Sequence, residues 1–133
     1  MRDRSHDHRR ARSAALVALA LLAGGQQLAV HGHPALVLGY FGLPGLPASI
    51  DRIAIETVTR GVHWLEQCAD GPVALMGGSL GGELALLAAA LEPTLTDCVV
   101  ALVPGSRVSP GEAGKSAWAW RGKPVRPRAL IPV

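Results

Sequence analysis

The stretch VALMGGSLGGEL, residues 73–84, sets the fold of this chain. A short apolar run leads into GGSLG (residues 77–81), and an Ala/Leu-rich segment follows. This order of strand, turn and helix is typical of a nucleophile elbow, the sharp turn that exposes a catalytic serine. Strand and helix cross closely there, so the residues two before and two after the serine need to lack side chains. Gly77 and Gly81 meet this demand, which predicts that Ser79 is a nucleophile. A plain glycine-rich turn is the alternative, since the chain holds 16 glycines.

Apolar segments upstream of the elbow predict a strand and a helix. Residues 34–40 form a continuous apolar run, which is typical of a strand buried on both faces of a parallel sheet. Residues 41–47 contain two glycines and two prolines and predict a turn. A helix of about 14 residues should follow and should stop before residues 70–72, Asp-Gly-Pro. Its apolar face is formed by Ile55, Val58, Val62 and Leu65.

The segments after Ser79 continue the alternation of helix and strand. The elbow helix has a strongly apolar composition and should end at Pro93. Its main apolar residues are Leu84, Leu87, Ala88 and Leu91. Residues 98–103 then predict another buried strand. This alternation indicates an α/β fold with a mostly parallel sheet.

Four separated segments resemble one family. They are YFGLPGLP (residues 40–47), VHWL (62–65), GGSLGGELALLAAALEP (77–93) and SAWAWRGKPV (116–125). Together they resemble the C-terminal domain of the acyl-CoA thioester hydrolase and bile acid-CoA:amino acid N-acyltransferase family, over residues 28–125. The resemblance implies an α/β-hydrolase fold, coenzyme A thioesters as substrates and no cofactor. In this family the aminoacyl-type transferases carry cysteine at the nucleophile, so Ser79 favours hydrolysis through an acyl-serine. Leu80 stands where the family often has lysine, which leaves the acyl-chain preference open.

The base of a catalytic triad is missing from its expected place. In this fold the nucleophile comes first, then the acid, then the histidine. All histidines of this chain precede Ser79: His6, His8, His31, His33 and His63. His63 belongs to the helix before the elbow strand and is expected to lie far from Ser79. Asp97 and Glu112 are interpreted as solvated charges. Residues 28–133 are therefore predicted to be the front part of a hydrolase domain, truncated before the later strands.

Oxyanion stabilisation requires two donors near the serine. The backbone N–H of Leu80 is the expected first donor, supported by the N-terminus of the helix that begins there. A second donor should come from the loop after an earlier strand, and Gly24-Gly25 is the candidate in the sequence.

Composition and charge limit the classes of function. The chain of 133 residues is 49% hydrophobic and can bury a core, whereas a full hydrolase sheet needs about 200 residues or more. Most basic residues crowd the two ends, and the sequence has no nucleic-acid recognition motif, so no nucleic-acid partner is predicted. Arg121 and Lys123 are candidates for contact with the phosphates of coenzyme A. No metal is predicted, because no carboxylate or thiol cluster accompanies the histidine pairs at residues 6–8 and 31–33.

Two features bear on location. Cys68 and Cys98 are expected to be free thiols in a reducing compartment, which favours the cytoplasm. Residues 1–27 form a basic and apolar segment in which five arginines precede the apolar run 14–23. This segment resembles an export signal or a degenerate first strand, and ten apolar residues are too few to span a bilayer.

Two other functions stay open from the sequence. The absence of a histidine after Ser79 favours a non-catalytic truncated remnant, or a fragment that binds acyl groups or a partner chain. The signal-like N-terminal segment would instead fit a secreted esterase.

Overall fold

The structure is a computed structural model that describes residues 24–126. The signal-like run 14–23 and the arginines before it lie outside the described residues. The chain divides into two compact units between Val37 and Leu38. In the first unit, residues 24–30 are helical.

Strands and helices alternate through the second unit. They are β1 (Ile53–Ala54), α1 (Glu56–Cys68), β2 (Ala74–Gly78), α2 (Leu80–Leu91), β3 (Cys98–Leu102), β4 (Trp118–Trp120) and β5 (Lys123–Pro124). The strands form two small sheets. In one sheet β2 pairs in parallel with β3, and in the other β1 pairs in parallel with β4, which pairs antiparallel with β5. The described residues are therefore mixed α/β, with two small sheets in place of the single sheet expected.

The apolar run at residues 34–40 is a correction to the sequence-based expectation. It was expected to be a buried strand, yet it has no strand structure and most of its residues are exposed. An apolar run becomes a strand only where a neighbouring strand accepts its backbone hydrogen bonds. Within residues 24–126 no strand pairs with it.

The strand β3 is also less buried than expected. Cys98, Val100 and Leu102 are exposed, and only Val99 and Ala101 are half-buried. The alternation has a period of two, which places one face against a packing layer and leaves the other open. On β2, Met76 follows the same pattern and is 60% exposed.

The helix α1 matches the spacing of its apolar residues. Val58, Gly61 and Val62 form its buried face, and Glu56 in the first turn suits the positive end of the helix dipole. The helix ends at Cys68, before residues 70–72, as predicted. Its Gly61 lets Leu38 pack closely, because a Cβ there would lie 2.8 Å from both terminal methyl carbons of Leu38.

The helix α2 is apolar on nearly all sides and is the centre of the core. It packs on both β2 and β3, and it ends at Leu91 ahead of Pro93, as predicted. Its buried residues are Gly82, Glu83, Leu84, Ala85, Leu87 and Ala88. The rest of the core includes Ile53 of β1, Ile55 just before α1, and Trp118 of β4.

The strands β4 and β5 form a hairpin that the sequence analysis did not predict. Two residues connect them, Arg121 and Gly122, with φ of 49° and 74°. Positive φ at both central residues is what a two-residue type I′ turn requires. The hairpin is held toward α1 by the backbone N–H of Arg121, which donates to Glu56 Oε1 at 2.5 Å.

Among residues 24–126, no helix has the length and apolar character needed to cross a membrane.

Candidate functional site

Ser79 occupies the junction between β2 and α2. The strand ends at Gly78, the helix begins at Leu80, and Ser79 has φ 51° and ψ −119°. A positive φ is costly for a residue with a Cβ, by about 1–3 kcal/mol, and it persists only where surrounding contacts hold it. The strand, turn and helix expected around Ser79 are thus present, and the serine has an unusual backbone conformation.

Backbone hydrogen bonds hold this conformation from both sides. The N–H of Ser79 donates to the carbonyl of Leu102 at 2.8 Å, which ties the turn to the end of β3. The carbonyl of Ser79 accepts from the N–H of Glu83 at 3.1 Å, which is the first hydrogen bond of the helix. The Ser79 side chain caps no helical N–H and is exposed. Its hydroxyl is therefore presented to solvent.

The backbone strain at Ser79 leads to a prediction about stability. The variant Ser79→Gly should be about 1 kcal/mol more stable than Ser79→Ala, because only glycine adopts a positive φ without steric cost. Both variants lack the hydroxyl, so their difference in urea-induced unfolding isolates the backbone term. The control variants are Ser106→Gly and Ser106→Ala, at an exposed serine without a positive φ. There the glycine variant should be the less stable one, and the same order at both positions would contradict strain at Ser79.

The close crossing of β2 and α2 depends on two glycines. A Cβ at Gly77 would collide with the carbonyl group of Gly81 and would lie 2.6 Å from the nitrogen of Gly82. A Cβ at Gly82 would lie 3.0 Å from the carbonyl oxygen of Gly77. At Gly81 the sequence-based reasoning needs correction, since a Cβ there meets only Tyr40 Oη, at 3.7 Å. Gly77 cannot carry a side chain because the backbone of Gly81 occupies that space. At position 81 itself, a side chain is not sterically excluded.

A buried carboxylate stabilises the first turn of α2. Glu83 is only 1% exposed, and its Oε1 accepts from the Trp118 indole N–H and the Ser109 backbone N–H, both at 2.6 Å. Its Oε2 accepts from the Ser109 hydroxyl at 2.7 Å. The helix that carries Ser79 at its start is thereby tied to β4 and to the segment before it. The sequence analysis missed Glu83, although one acidic residue within an otherwise apolar helix was a signal for a buried polar contact.

Tyr40 lies beside this first turn. Its ring packs at 5.4 Å from Phe41 and 5.9 Å from Trp118, measured between ring centroids. Burial, and secondly the negative charge of Glu83, raise the pKa of the Tyr40 hydroxyl above its ordinary value of 10.0. Tyr40 therefore stays a neutral hydrogen-bond donor at every physiological pH.

Leu80, whose N–H is the expected first oxyanion donor, directly follows Ser79. Leu80 is the first residue of α2, and the first N–H groups of a helix have no acceptor within the helix. The candidate for the second donor does not fit, because Gly24 and Gly25 are helical residues of the first unit and do not form a loop after a strand.

His63, the histidine that the second unit contains within residues 38–126, is an exposed residue of α1. Among the hydrogen bonds of residues 24–126, none joins an imidazole or a carboxylate to the Ser79 hydroxyl.

The two acidic residues expected to be solvated are exposed. Asp97 also accepts a hydrogen bond from the Val73 N–H at 2.8 Å, at the start of the β2–β3 pair. Glu112 donates its backbone N–H to Ile50 at 2.9 Å.

The basic residues suggested for coenzyme A phosphates are surface residues of the hairpin. Arg121 and Lys123 are both exposed. The guanidinium of Arg121 lies 5.5 Å above the centre of the Trp120 ring, a cation–π contact. Residues 24–126 contain no group of three or more histidine, cysteine or acidic side chains able to hold a metal ion.

Comparison with known proteins finds no matching family model, no matching curated protein and no matching solved structure. A functional proposal for this chain therefore rests on the geometry around Ser79 and on the resemblance of its sequence segments.

Proposed function

We propose that this chain is an acyl-CoA thioesterase-like serine hydrolase domain with a partial α/β-hydrolase fold. The observation that carries the proposal is the backbone of Ser79, an exposed serine with φ 51° between a parallel strand and a helix. Strained residues of this kind cluster at active sites. Of the four non-glycine residues with a positive φ among residues 24–126, Ser79 is the one with a nucleophilic side chain. The acyl-CoA substrate is supported by the resemblance of residues 40–47, 62–65, 77–93 and 116–125 to the thioesterase family.

The proposed reaction proceeds through an acyl-enzyme. The Ser79 oxygen bonds to the thioester carbonyl carbon, and the π-electron pair of the C=O bond moves onto the carbonyl oxygen. This negative oxygen accepts a hydrogen bond from the Leu80 N–H. Collapse of this intermediate breaks the carbon–sulfur bond. The serine proton passes to water, and the departing coenzyme A thiolate takes a proton from water. A second water then adds to the acyl-serine, releases the carboxylic acid and returns the proton to Ser79.

The rate should be low, because no base in residues 24–126 contacts the Ser79 hydroxyl. A neutral serine is a weak nucleophile, and enzymes with deleted triads retain only about 10³–10⁴-fold acceleration over water from the oxyanion hole and binding. We therefore expect slow turnover of acyl-CoA and slow reaction with fluorophosphonate probes.

Fluorophosphonate labelling, followed by mass mapping of the labelled peptide, tests the proposal. The expected label lies on Ser79, and Ser79→Ala should lower labelling by at least about tenfold. The matched control is Ser106→Ala, which removes an exposed serine hydroxyl outside the elbow and should leave labelling unchanged. His63→Ala should also leave it unchanged, since His63 is an exposed residue of α1.

Three results would overturn the proposal or part of it. Labelling that survives Ser79→Ala, or no labelling of the native chain even after long incubation, would remove Ser79 as a nucleophile. A large loss of labelling in His63→Ala would leave Ser79 in its role but would make His63 its base.

A second candidate function is acyl-CoA binding without turnover. The observation that favours it is the Ser79 hydroxyl, which has no base among residues 24–126. Equilibrium binding of acyl-CoA to both the native chain and Ser79→Ala, with no thiol release from either, would select this function over hydrolysis.

We also propose a cytoplasmic location, since acyl-CoA occurs inside cells. Cys68 and Cys98 are free and exposed, which suits a reducing compartment. Export of the chain with a C-terminal tag, and removal of residues 1–27 during that export, would favour the secreted esterase instead.

A further inference from the structure

The Tyr40 hydroxyl lies beside the first turn of α2, the turn next to Ser79 in sequence. Its hydroxyl oxygen lies 3.7 Å from the point that a Cβ on Gly81 would occupy. Gly81 belongs to the first turn of α2, directly after Leu80, whose N–H is the first donor. Tyr40 also ends the apolar run 34–40, so it reaches the elbow from an earlier segment, as a second oxyanion donor is required to do.

None of the side-chain hydrogen bonds within residues 24–126 involves the Tyr40 hydroxyl. The carboxylate of Glu83, whose negative charge raises the pKa of Tyr40, accepts hydrogen bonds from Ser109 and Trp118 instead. Tyr40 is half-buried, and its ring is held between Phe41 and Trp118. A donor that is fixed in place and unpaired costs little reorganisation when charge develops beside it.

We propose that the Tyr40 hydroxyl is the second oxyanion donor of the Ser79 site and so a catalytic residue. In this role it donates its hydrogen to the oxygen that becomes negative when Ser79 attacks, opposite the Leu80 N–H. The proposal rests on the proposed function of Ser79. It replaces the Gly24-Gly25 segment, which the structure does not place in a loop.

The neutral state of Tyr40 supports this role. Burial and the negative charge of Glu83 both disfavour tyrosinate, so the hydroxyl keeps its proton through the pH range in which the chain acts. Phe41 and Trp118, the other side chains against the ring, do not titrate. Oxyanion stabilisation by Tyr40 is present while its hydroxyl is protonated and is lost as the pH rises through its raised pKa.

The test compares the rate constant of fluorophosphonate labelling at Ser79 in the native chain and in Tyr40→Phe. The variant keeps the ring and loses only the hydroxyl, and it should label about 10²-fold more slowly, as enzymes do after loss of one oxyanion donor. The control Ser106→Ala also removes a hydroxyl, from an exposed serine outside the elbow, and should label at close to the native rate. Near-ultraviolet circular dichroism of the tryptophans verifies that each variant is folded.

A pH profile separates a donor from a residue that only packs. Tyr40 is the single tyrosine of the chain, so the absorbance of tyrosinate reports its titration directly. The ratio of native to Tyr40→Phe labelling rates should fall toward one as that absorbance rises, because tyrosinate cannot donate.

The outcomes distinguish the two proposals. Labelling that is abolished by Ser79→Ala yet unchanged by Tyr40→Phe would overturn the role of Tyr40 and leave the proposed function intact. A rate ratio that stays constant through the titration of Tyr40 would also overturn its role as a donor. Labelling that ignores Ser79→Ala, or is absent from the native chain, would overturn both proposals.

Discussion

Replacing Gly77 by alanine is expected to destroy the elbow. The added methyl group would overlap the carbonyl of Gly81, and backbone atoms cannot move aside as the end of a flexible side chain does. We expect a loss of at least about 3 kcal/mol in the free energy of unfolding, a large share of the stability of a small domain. Urea unfolding followed by tryptophan fluorescence measures the loss, and labelling at Ser79 should fall with it.

The neighbouring glycine offers a matched control. A Cβ at Gly78 meets nothing within 4 Å, and this residue has no positive φ. Gly78→Ala should therefore leave stability within about 1 kcal/mol of the native value. Equal stabilities of the two alanine variants would mean that β2 and α2 do not cross as closely as described.

Removing the carboxylate of Glu83 is expected to have an effect of similar size. Glu83→Ala leaves the Trp118 indole N–H and both Ser109 donors without their acceptor. Trp118 is fully buried and Ser109 is half-buried. Each buried unsatisfied donor costs about 1–3 kcal/mol, so a loss of about 3–5 kcal/mol is expected. Glu83→Gln keeps the size and one acceptor oxygen, and its stability should lie between the native chain and the alanine variant.

The control for Glu83 is Glu66, an exposed acidic residue of α1. Glu66→Ala should change the free energy of unfolding by no more than about 0.5 kcal/mol. If Glu83→Ala were as stable as Glu66→Ala in the same urea titration, the three hydrogen bonds would contribute nothing, and the link between α2 and β4 would be wrong.

Local sequence patterns predicted the elements that depend on local signals. The 3.6-residue spacing of Val58 and Val62, with the Asp-Gly-Pro stop, gave α1. The glycines around Ser79 predicted the turn, and Pro93 predicted the end of α2. Each of these features is encoded within one turn or one short segment, where propensity and steric limits act directly.

Features that depend on distant partners were not predicted. The strand β1 has only two residues, too few for a periodic pattern, and it exists because Trp118 and Ala119 pair with it from far along the chain. The run 34–40 has a strand-like composition but no partner strand among the described residues. A sequence shows which residues favour a strand, whereas the ladder that stabilises it depends on tertiary pairing.

The same division holds for the candidate site. Ser79 and the Leu80 N–H were predicted because the elbow is a local turn. Glu83 and Tyr40 were missed because they meet Ser109, Trp118 and the first turn of α2 through long-range contacts, which no local pattern encodes.

Direct trapping of an acyl-enzyme tests the central claim, that Ser79 is an acyl-accepting nucleophile. The native chain is incubated with an acyl-CoA, denatured at low pH and analysed by peptide mass mapping. Denaturation at low pH stops turnover and preserves the ester on Ser79. The account predicts the acyl mass on the peptide containing Ser79, free coenzyme A thiol in at least equal amount, and neither above background in Ser79→Ala. Acyl groups found only on Cys68, Cys98 or lysines, at the same level in Ser79→Ala, would contradict it.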